Sequence, residues 1–129
     1  AFADSVFGDK PRSVNYDLVP TAVFSQPEIA TVGLSEQKAN EVFGDKEIKI
    51  YNAKFKPMSK ALPKNGSPCL LKLVVQKSNQ KIVGCHMLGE HSAEIIQMAS
   101  IALLMGASKS DFDKTMALHP TVAEEFVTM

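Results

Sequence analysis

The stretch that decides the fold is residues 70–106, LLKLVVQKSNQKIVGCHMLGEHSAEIIQMASIALLMG. Two apolar segments, 70–76 and 81–88, flank the polar turn 77–80, a pattern that predicts a β-hairpin. A helix is predicted from Ser92, as a capping residue, to Gly106, as a terminating residue. The hairpin and the helix after it are therefore predicted to form the centre of the fold.

The predicted helix has two apolar stripes, one of Ile95, Ala99, Ala102 and Gly106 and one of Met98, Ile101 and Met105. A sheet in so small a domain covers only one of them, and an apolar face left in water indicates a partner surface. Because closed two-fold symmetry is usual among homo-oligomers, we expect a homodimer.

Upstream of the hairpin, residues 19–25 and 29–33 predict two short strands that meet at a turn with Pro27. Ser35 predicts the cap of a helix over residues 36–43, which Gly44 ends. Residues 47–56 predict either a long strand covered on both faces or a strand with a bulge. A central position in the sheet is the simpler account. Residues 56–68 are rich in proline and predict a surface loop.

Composition limits the protein class. With 129 residues, 45% hydrophobic and 22% charged, the chain fits one globular domain, residues 18–129. We expect residues 1–17 to be a linker at the end of a missing upstream flavin domain. Equal numbers of acidic and basic residues argue against nucleic acid, and neither a membrane-length apolar run nor a signal pattern is present. We therefore expect a cytoplasmic protein that binds no membrane, with Cys69 and Cys85 as buried free thiols.

Residues 118–125, Leu-His-Pro-Thr-Val-Ala-Glu-Glu, carry the chemistry. Pro120 disfavours helical backbone at His119, and Glu124 falls in the first turn of the predicted helix that follows, so imidazole and carboxylate can meet. Such a pair suits a proton shuttle near neutral pH. The alternative is that Glu124 only completes a capping box with Thr121, leaving His119 as a connector. Ser108 and Asp111 predict another capping box, opening a helix to about Met116.

The ending HPTVAEEFVTM, residues 119–129, resembles the C-terminal signature of the pyridine nucleotide-disulfide oxidoreductase family, and most of all its members that reduce glutathione disulfide. Residues 19–25, 29–34 and 106–113 resemble the same family, so the likeness covers residues 18–129. It implies an α+β fold, an antiparallel sheet with helices packed on one side, that forms a two-fold dimer interface. Each active site of such a dimer borrows a histidine from the other subunit.

The resemblance implies specific roles. His119 would be the acid–base that protonates the departing thiolate, and Glu124 would orient its imidazole. The backbone of His119 and Pro120 would touch the flavin of the partner subunit. Substrate-binding positions would be Met58, Thr121 and Glu125, although Ser59 stands where some members have an aromatic residue. FAD and NADPH would be the cofactors, with glutathione disulfide as the substrate.

The chain contains neither a G-x-G-x-x-G loop nor the C-x-x-x-x-C redox pair of that family, so we expect both upstream and the isolated chain to be inactive. The same domain of a dihydrolipoamide, trypanothione or mercuric reductase remains an alternative, as does a free-standing protein-interaction module. Lys60 and Lys64 either attract an anionic disulfide or form a solvated surface. His86 and His91 match no ligand spacing, so we expect no metal site.

Overall fold

A computed structural model describes residues 1–62 and 66–129, and within them five strands form one antiparallel sheet of order β1-β2-β5-β4-β3. The strands are β1 Thr21–Val23, β2 Ile29–Gly33, β3 Ile48–Phe55, β4 Cys69–Gln76 and β5 Ile82–Leu88. The helices are α1 Phe2–Phe7, α2 Glu36–Phe43, α3 Ser92–Leu104, α4 Lys109–Lys114 and α5 Glu125–Thr128, with 3-10 turns at Tyr16–Leu18 and Met58–Lys60. This architecture confirms the predicted α+β fold class.

The main core lies between one face of the sheet and helices α3 and α5. Strand residues alternate between the two faces, so Leu71 and Leu73 of β4 point into this core and Lys72 points away from it. Ile96 and Leu103 of α3 pack against the strand residues from the other side of the core. The predicted hairpin is confirmed, because β4 and β5 pair antiparallel with Leu73 opposite Cys85.

A smaller core on the opposite face lies beneath α2. Ala39 of α2 packs there with Val74 and Ile48, all three buried. The Ser35 cap is confirmed, since its hydroxyl accepts a hydrogen bond from the Lys38 N–H at 3.1 Å. The principal helices therefore share one face of the sheet, and α2 covers part of the other.

Strand β3 is covered on both faces, as expected, but its predicted central position is wrong. It pairs with β4 alone and forms the edge of the sheet. Ile48 and Ile50 face the small core under α2, while Tyr51 and Phe55 face the main core. Two cores on opposite faces, rather than two neighbouring strands, account for its apolar pattern.

Helix α3 begins differently from the sequence prediction. Ser92 is the first helical residue rather than the cap, and its hydroxyl donates to the Gly89 carbonyl oxygen at 2.6 Å. His91 occupies the N-cap position with φ 63°. The carboxylate of Glu28, on the β1–β2 connection, accepts from the Ala93 N–H at 3.2 Å. Glu28, which is distant in sequence, thus supplies the side-chain acceptor at the start of α3 that the sequence assigned to Ser92.

The two stripes of α3 are only partly as predicted. The buried side chains at its centre are Ile96, Ser100 and Leu103, which the predicted inner stripe omitted. Met98 and Met105 of the second stripe are exposed, with 66% and 82% of their surfaces in solvent. The apolar face that the sequence assigned to a partner is therefore open in this chain.

The first eighteen residues contain more regular structure than predicted. Residues 2–7 form α1, none of whose side chains is buried, and an ion pair joins Arg12 to Asp4 at 3.1 Å. In the described part of the chain no helix has both the length and the apolarity to cross a membrane.

Candidate active site

Helix α4 leads the chain toward His119. The capping box at its start is confirmed: the Ser108 hydroxyl accepts from the Asp111 N–H at 3.2 Å, and the Asp111 carboxylate accepts from the Ser108 N–H at 2.9 Å. The hydrogen bond from the Ser108 side chain lowers the pKa of Asp111. The helix ends at Lys114, two residues before the predicted end, and Thr115 is already extended.

The side chains of His119 and Glu124 meet, as the sequence predicted. Nδ1 of His119 lies 3.1 Å from both carboxylate oxygens of Glu124. A carboxylate only accepts, so Nδ1 carries the proton of this hydrogen bond and Nε2 is left to exchange a proton with another molecule. The His119 side chain is 76% exposed and that of Glu124 only 16%, so the ring stands outward on a nearly buried carboxylate.

The geometry distinguishes the pair from an ordinary capping box. The Thr121 hydroxyl accepts a hydrogen bond from the Glu124 N–H at 3.2 Å, which is one half of such a box. The Glu124 carboxylate, however, turns to His119 instead of closing the other half. Helix α5 then begins at Glu125 with no side-chain cap bond. Of the two interpretations left open by the sequence, the structure favours the hydrogen-bonded pair of imidazole and carboxylate.

Helix α5 attaches this surface pair to the core. Phe126 is only 4% exposed and packs in the main core under the sheet. The N–H groups of Val127 and Thr128 donate to the Glu124 carbonyl oxygen at 3.0 and 3.1 Å. Sequence reasoning missed Phe126, although it is the aromatic residue directly after the two glutamates. Its burial anchors the segment that carries His119 and Glu124 to the main core.

The three predicted substrate-binding residues lie on two segments. Thr121 and Glu125 flank the pair itself, whereas Met58 lies on the 3-10 turn Met58–Lys60 and is 71% exposed. Lys60 forms an ion pair with Glu90 at 2.8 Å, and the hydrogen bond from this lysine lowers the pKa of Glu90. Lys64, the second lysine considered for anion attraction, lies outside the described residues.

The backbone expected to touch a flavin is accessible. Both His119 and Pro120 are exposed, and the peptide bond between them is cis.

The other histidines have structural surroundings. His86 Nε2 donates to the Leu34 carbonyl oxygen at 3.0 Å, its Nδ1 accepts from the Thr31 hydroxyl, and burial lowers its pKa. His91 caps α3. Across residues 1–62 and 66–129, no three or more His, Cys, Asp or Glu side chains are grouped so that they could hold a metal ion.

The cysteines are buried free thiols, as predicted. Burial raises the pKa of Cys69 to about 11 and that of Cys85 to about 12. Both thiols therefore stay protonated near neutral pH, when a thiolate would be needed for exchange with a disulfide.

Comparison with known proteins gives a consistent result. The family model for the pyridine nucleotide-disulphide oxidoreductase dimerisation domain matches residues 19–129. Glutathione reductases from a Nostoc species and from Burkholderia cepacia are 47% and 48% identical to the chain over 129 residues, all of it. The chain spans 28% of the length of each of these relatives.

A solved structure shares the fold. The HOCl-induced flavoprotein disulfide reductase RclA from Escherichia coli matches with a TM-score of 0.79 and 26% sequence identity. The match covers 99% of this chain and 29% of that one.

Proposed function

This chain belongs to the dimerisation-domain family of the pyridine nucleotide-disulphide oxidoreductases, and from that premise we propose that it serves a glutathione-disulfide reductase. The support for this substrate is the identity of 47–48% to glutathione reductases along the whole chain. The RclA likeness at 26% indicates that the same fold serves other disulfide reductases. A dihydrolipoamide, trypanothione or mercuric reductase is the alternative, and a free-standing interaction module is the more distant one.

The His119–Glu124 pair is the observation that carries the proposed mechanism. FAD and NADPH, bound by parts of the protein outside these 129 residues, would supply the electrons. A thiolate, also from outside this chain, attacks one sulfur of the substrate and forms a new S–S bond while the old one breaks. The departing sulfur keeps the electron pair of the broken bond and takes a proton from Nε2 of His119. Protonation matters because a poor leaving thiolate slows exchange.

Glu124 contributes in both protonation states of the ring. Its carboxylate accepts the Nδ1 proton at 3.1 Å and so fixes Nε2 as the nitrogen that faces outward. It also stabilises the imidazolium that exists before the proton is given away. The pair therefore holds the proton that is given to the departing sulfur at one defined atom, Nε2 of His119.

We propose that His119 acts in the active site of the partner subunit. The His119 side chain is 76% exposed, which fits a residue that completes a site on another chain. The apolar face of α3, with Met98 and Met105, is the proposed interface of the homodimer. The backbone of His119 and Pro120 would then lie against the flavin of that partner.

Three further residues would bind glutathione disulfide. Thr121 and Glu125 adjoin the pair, so their hydroxyl and carboxylate can meet polar groups of a substrate whose sulfur lies at His119. The flexible thioether of Met58 would pack against its apolar atoms. We further propose a cytoplasmic enzyme in which residues 18–129 form the dimerisation domain after a linker at 1–17, and in which this chain alone does not turn over.

The direct test uses the complete reading frame that encodes this chain. The parent protein should oxidise NADPH with glutathione disulfide, and His119→Gln should lower kcat by roughly 10²–10⁴-fold while bound flavin is unchanged. His91→Asn is the matched control, because it replaces another exposed histidine and asparagine tolerates the positive φ at that position. An active parent whose His119→Gln variant is equally active would remove His119 from the mechanism. An inactive parent would reject glutathione disulfide as substrate.

A further inference from the structure

We propose that Thr121 is a positioning residue that holds Glu124 on His119, an inference that rests on the proposed function of that pair. The hydroxyl oxygen of Thr121 accepts a hydrogen bond from the Glu124 N–H at 3.2 Å. Thr121 and Glu124 are both half-buried, whereas His119 is exposed. The hydrogen bond thus fixes the backbone of the residue whose carboxylate meets the imidazole.

The backbone of Glu124 is held from two sides. Its carbonyl oxygen accepts from Val127 and Thr128 at 3.0 and 3.1 Å, which ties it to α5. Its N–H points the other way, and Thr121 supplies the acceptor. α5 has no side-chain cap bond of its own, so the Thr121 hydroxyl adds a side-chain acceptor to the backbone hydrogen bonds that form the turn before the helix.

The orientation of the imidazole depends on Glu124. With 76% of its side chain exposed, His119 gains little orientation from packing. Both Glu124 oxygens lie at the same 3.1 Å from Nδ1. A shift of the Glu124 backbone would change the direction of its side chain and with it both contacts. A shift of about 1 Å at a reacting group can cost on the order of 10²-fold in rate. Releasing the Glu124 backbone should therefore reduce the rate of proton transfer.

This role is separable from substrate contact. A hydroxyl accepts and donates at once, so Thr121 can hold Glu124 and still donate to glutathione disulfide. Loss of a substrate contact raises KM with kcat unchanged, whereas loss of positioning for the chemical step lowers kcat. Both effects can be measured in one series of rates at increasing concentrations of glutathione disulfide, which gives kcat and KM separately.

The test compares Thr121→Ala with Thr121→Ser in the complete flavin-containing protein. These two variants differ by one oxygen atom. Alanine should lower kcat for glutathione disulfide by roughly ten-fold, a fraction of the 10²–10⁴-fold worth of a general acid, with KM little changed. Serine should retain kcat near that of the parent. Thr121→Val, which keeps the size of threonine, serves as the second variant lacking the acceptor if alanine impairs folding.

A change of leaving group separates positioning from general damage. In a mixed disulfide of glutathione and an aromatic thiol, the arylthiolate departs without needing a proton, because thiols of lower pKa leave faster. The first step with this substrate, followed as release of the arylthiolate in a single turnover, should show almost no deficit in Thr121→Ala. The glutathione left on the attacking sulfur departs later as a poor thiolate and is not part of this readout. A merely destabilised protein would show the same deficit with both disulfides.

The outcomes distinguish this inference from the proposed function. If His119→Gln abolishes activity while Thr121→Ala is fully active, or raises only KM, the positioning role is overturned and the function stands. A serine variant as slow as alanine, or an equal deficit with both disulfides, also overturns it. A parent that does not reduce glutathione disulfide, or a fully active His119→Gln, overturns the proposed function and this inference together.

Discussion

At the scale of single residues, Lys109 has an unusual environment for a charged side chain. It is only 3% exposed, its ammonium pairs with the Asp113 carboxylate, and Nζ lies 4.9 Å from the centre of the Tyr51 ring. Lys49 lies 4.6 Å from the same ring but is exposed. Lys109 thereby joins α4, which leads to His119, to the edge strand β3.

Removing the charge of Lys109 should destabilise the chain. We expect Lys109→Met to lower the free energy of unfolding by about 1.5–3 kcal/mol, the range for a hydrogen bond to a charged group. Lys49→Met, the control on the same ring, should change it by less than about 0.5 kcal/mol, as at other surface sites. Urea unfolding followed by circular dichroism measures both. Equal losses of unfolding free energy in the two variants would show that the pairing of Lys109 with Asp113 adds nothing to stability.

His86 should make stability depend on pH. Burial lowers its pKa from the ordinary value of 6.5, with nearby Lys72 acting in the same direction and the Leu34 hydrogen bond opposing both. The unfolded chain therefore binds a proton more readily than the folded one, so this contribution is complete above pH 6.5 and declines as pH falls below it. Glu36, paired with Lys72 at 2.8 Å, is the carboxylate on the same face.

The His86 prediction can be checked with His86→Gln, which retains a donor for the Leu34 carbonyl. Between about pH 7.5 and pH 5 the parent should lose stability, and the variant should lose less. The window avoids the carboxyls of Glu47 and Asp111, whose lowered pKa values place their contributions at more acidic pH. Parallel curves for parent and variant would contradict the assignment.

Local sequence patterns predicted the two residues of the candidate site better than the buried contacts that hold them in place. The His-Pro turn and the five-residue spacing were enough to predict that His119 and Glu124 meet, because both residues lie on one short segment. Neither the burial of Phe126 nor the pairing of Lys109 could be predicted in this way, since each depends on contacts with distant strands. The hydrogen bond between Glu28 and α3 could not be predicted for the same reason, since its two residues lie 65 positions apart in the sequence.

At the scale of elements, strand and helix identities followed from periodicity, whereas their neighbours did not. The pattern of β3 reports that both its faces are covered, and it carries no information on which strands lie beside it. An edge strand and a central strand have the same apolar pattern when both of their faces are covered. The faces of β3 are covered by the main core on one side and by the small core under α2 on the other. The misplacement of β3 has this cause.

The exposed face of α3 gives a prediction at the same scale. Met98→Glu combined with Met105→Glu should raise the dimer dissociation constant of the complete protein by about 100-fold or more, since burial of each methionine is worth about 1.5–3 kcal/mol. Val42→Glu on α2 is the control, an equally drastic change at a residue that is 55% exposed on the opposite face of the sheet. Sedimentation velocity reports the association state, and a double variant that dimerises like the parent would place the interface elsewhere.

At the scale of the whole molecule, the sequence specified the family more firmly than the substrate. An eleven-residue ending sufficed to suggest the family, because it combines a histidine, a proline and a glutamate at fixed spacing. The fold is shared by a disulfide reductase of only 26% identity, so it does not select the disulfide.

The central claim is that His119 acts in the partner's active site, and hybrid dimers test it directly. His119→Gln subunits would be mixed with subunits whose redox cysteine, outside this chain, is replaced by serine. If His119 works across the interface, each hybrid regains one complete site, and random reassortment of two-fold dimers should restore about a quarter of the parent's glutathione disulfide reduction. If it works within its own subunit, no hybrid has a complete site, and activity no higher than the two parental variants would contradict the claim.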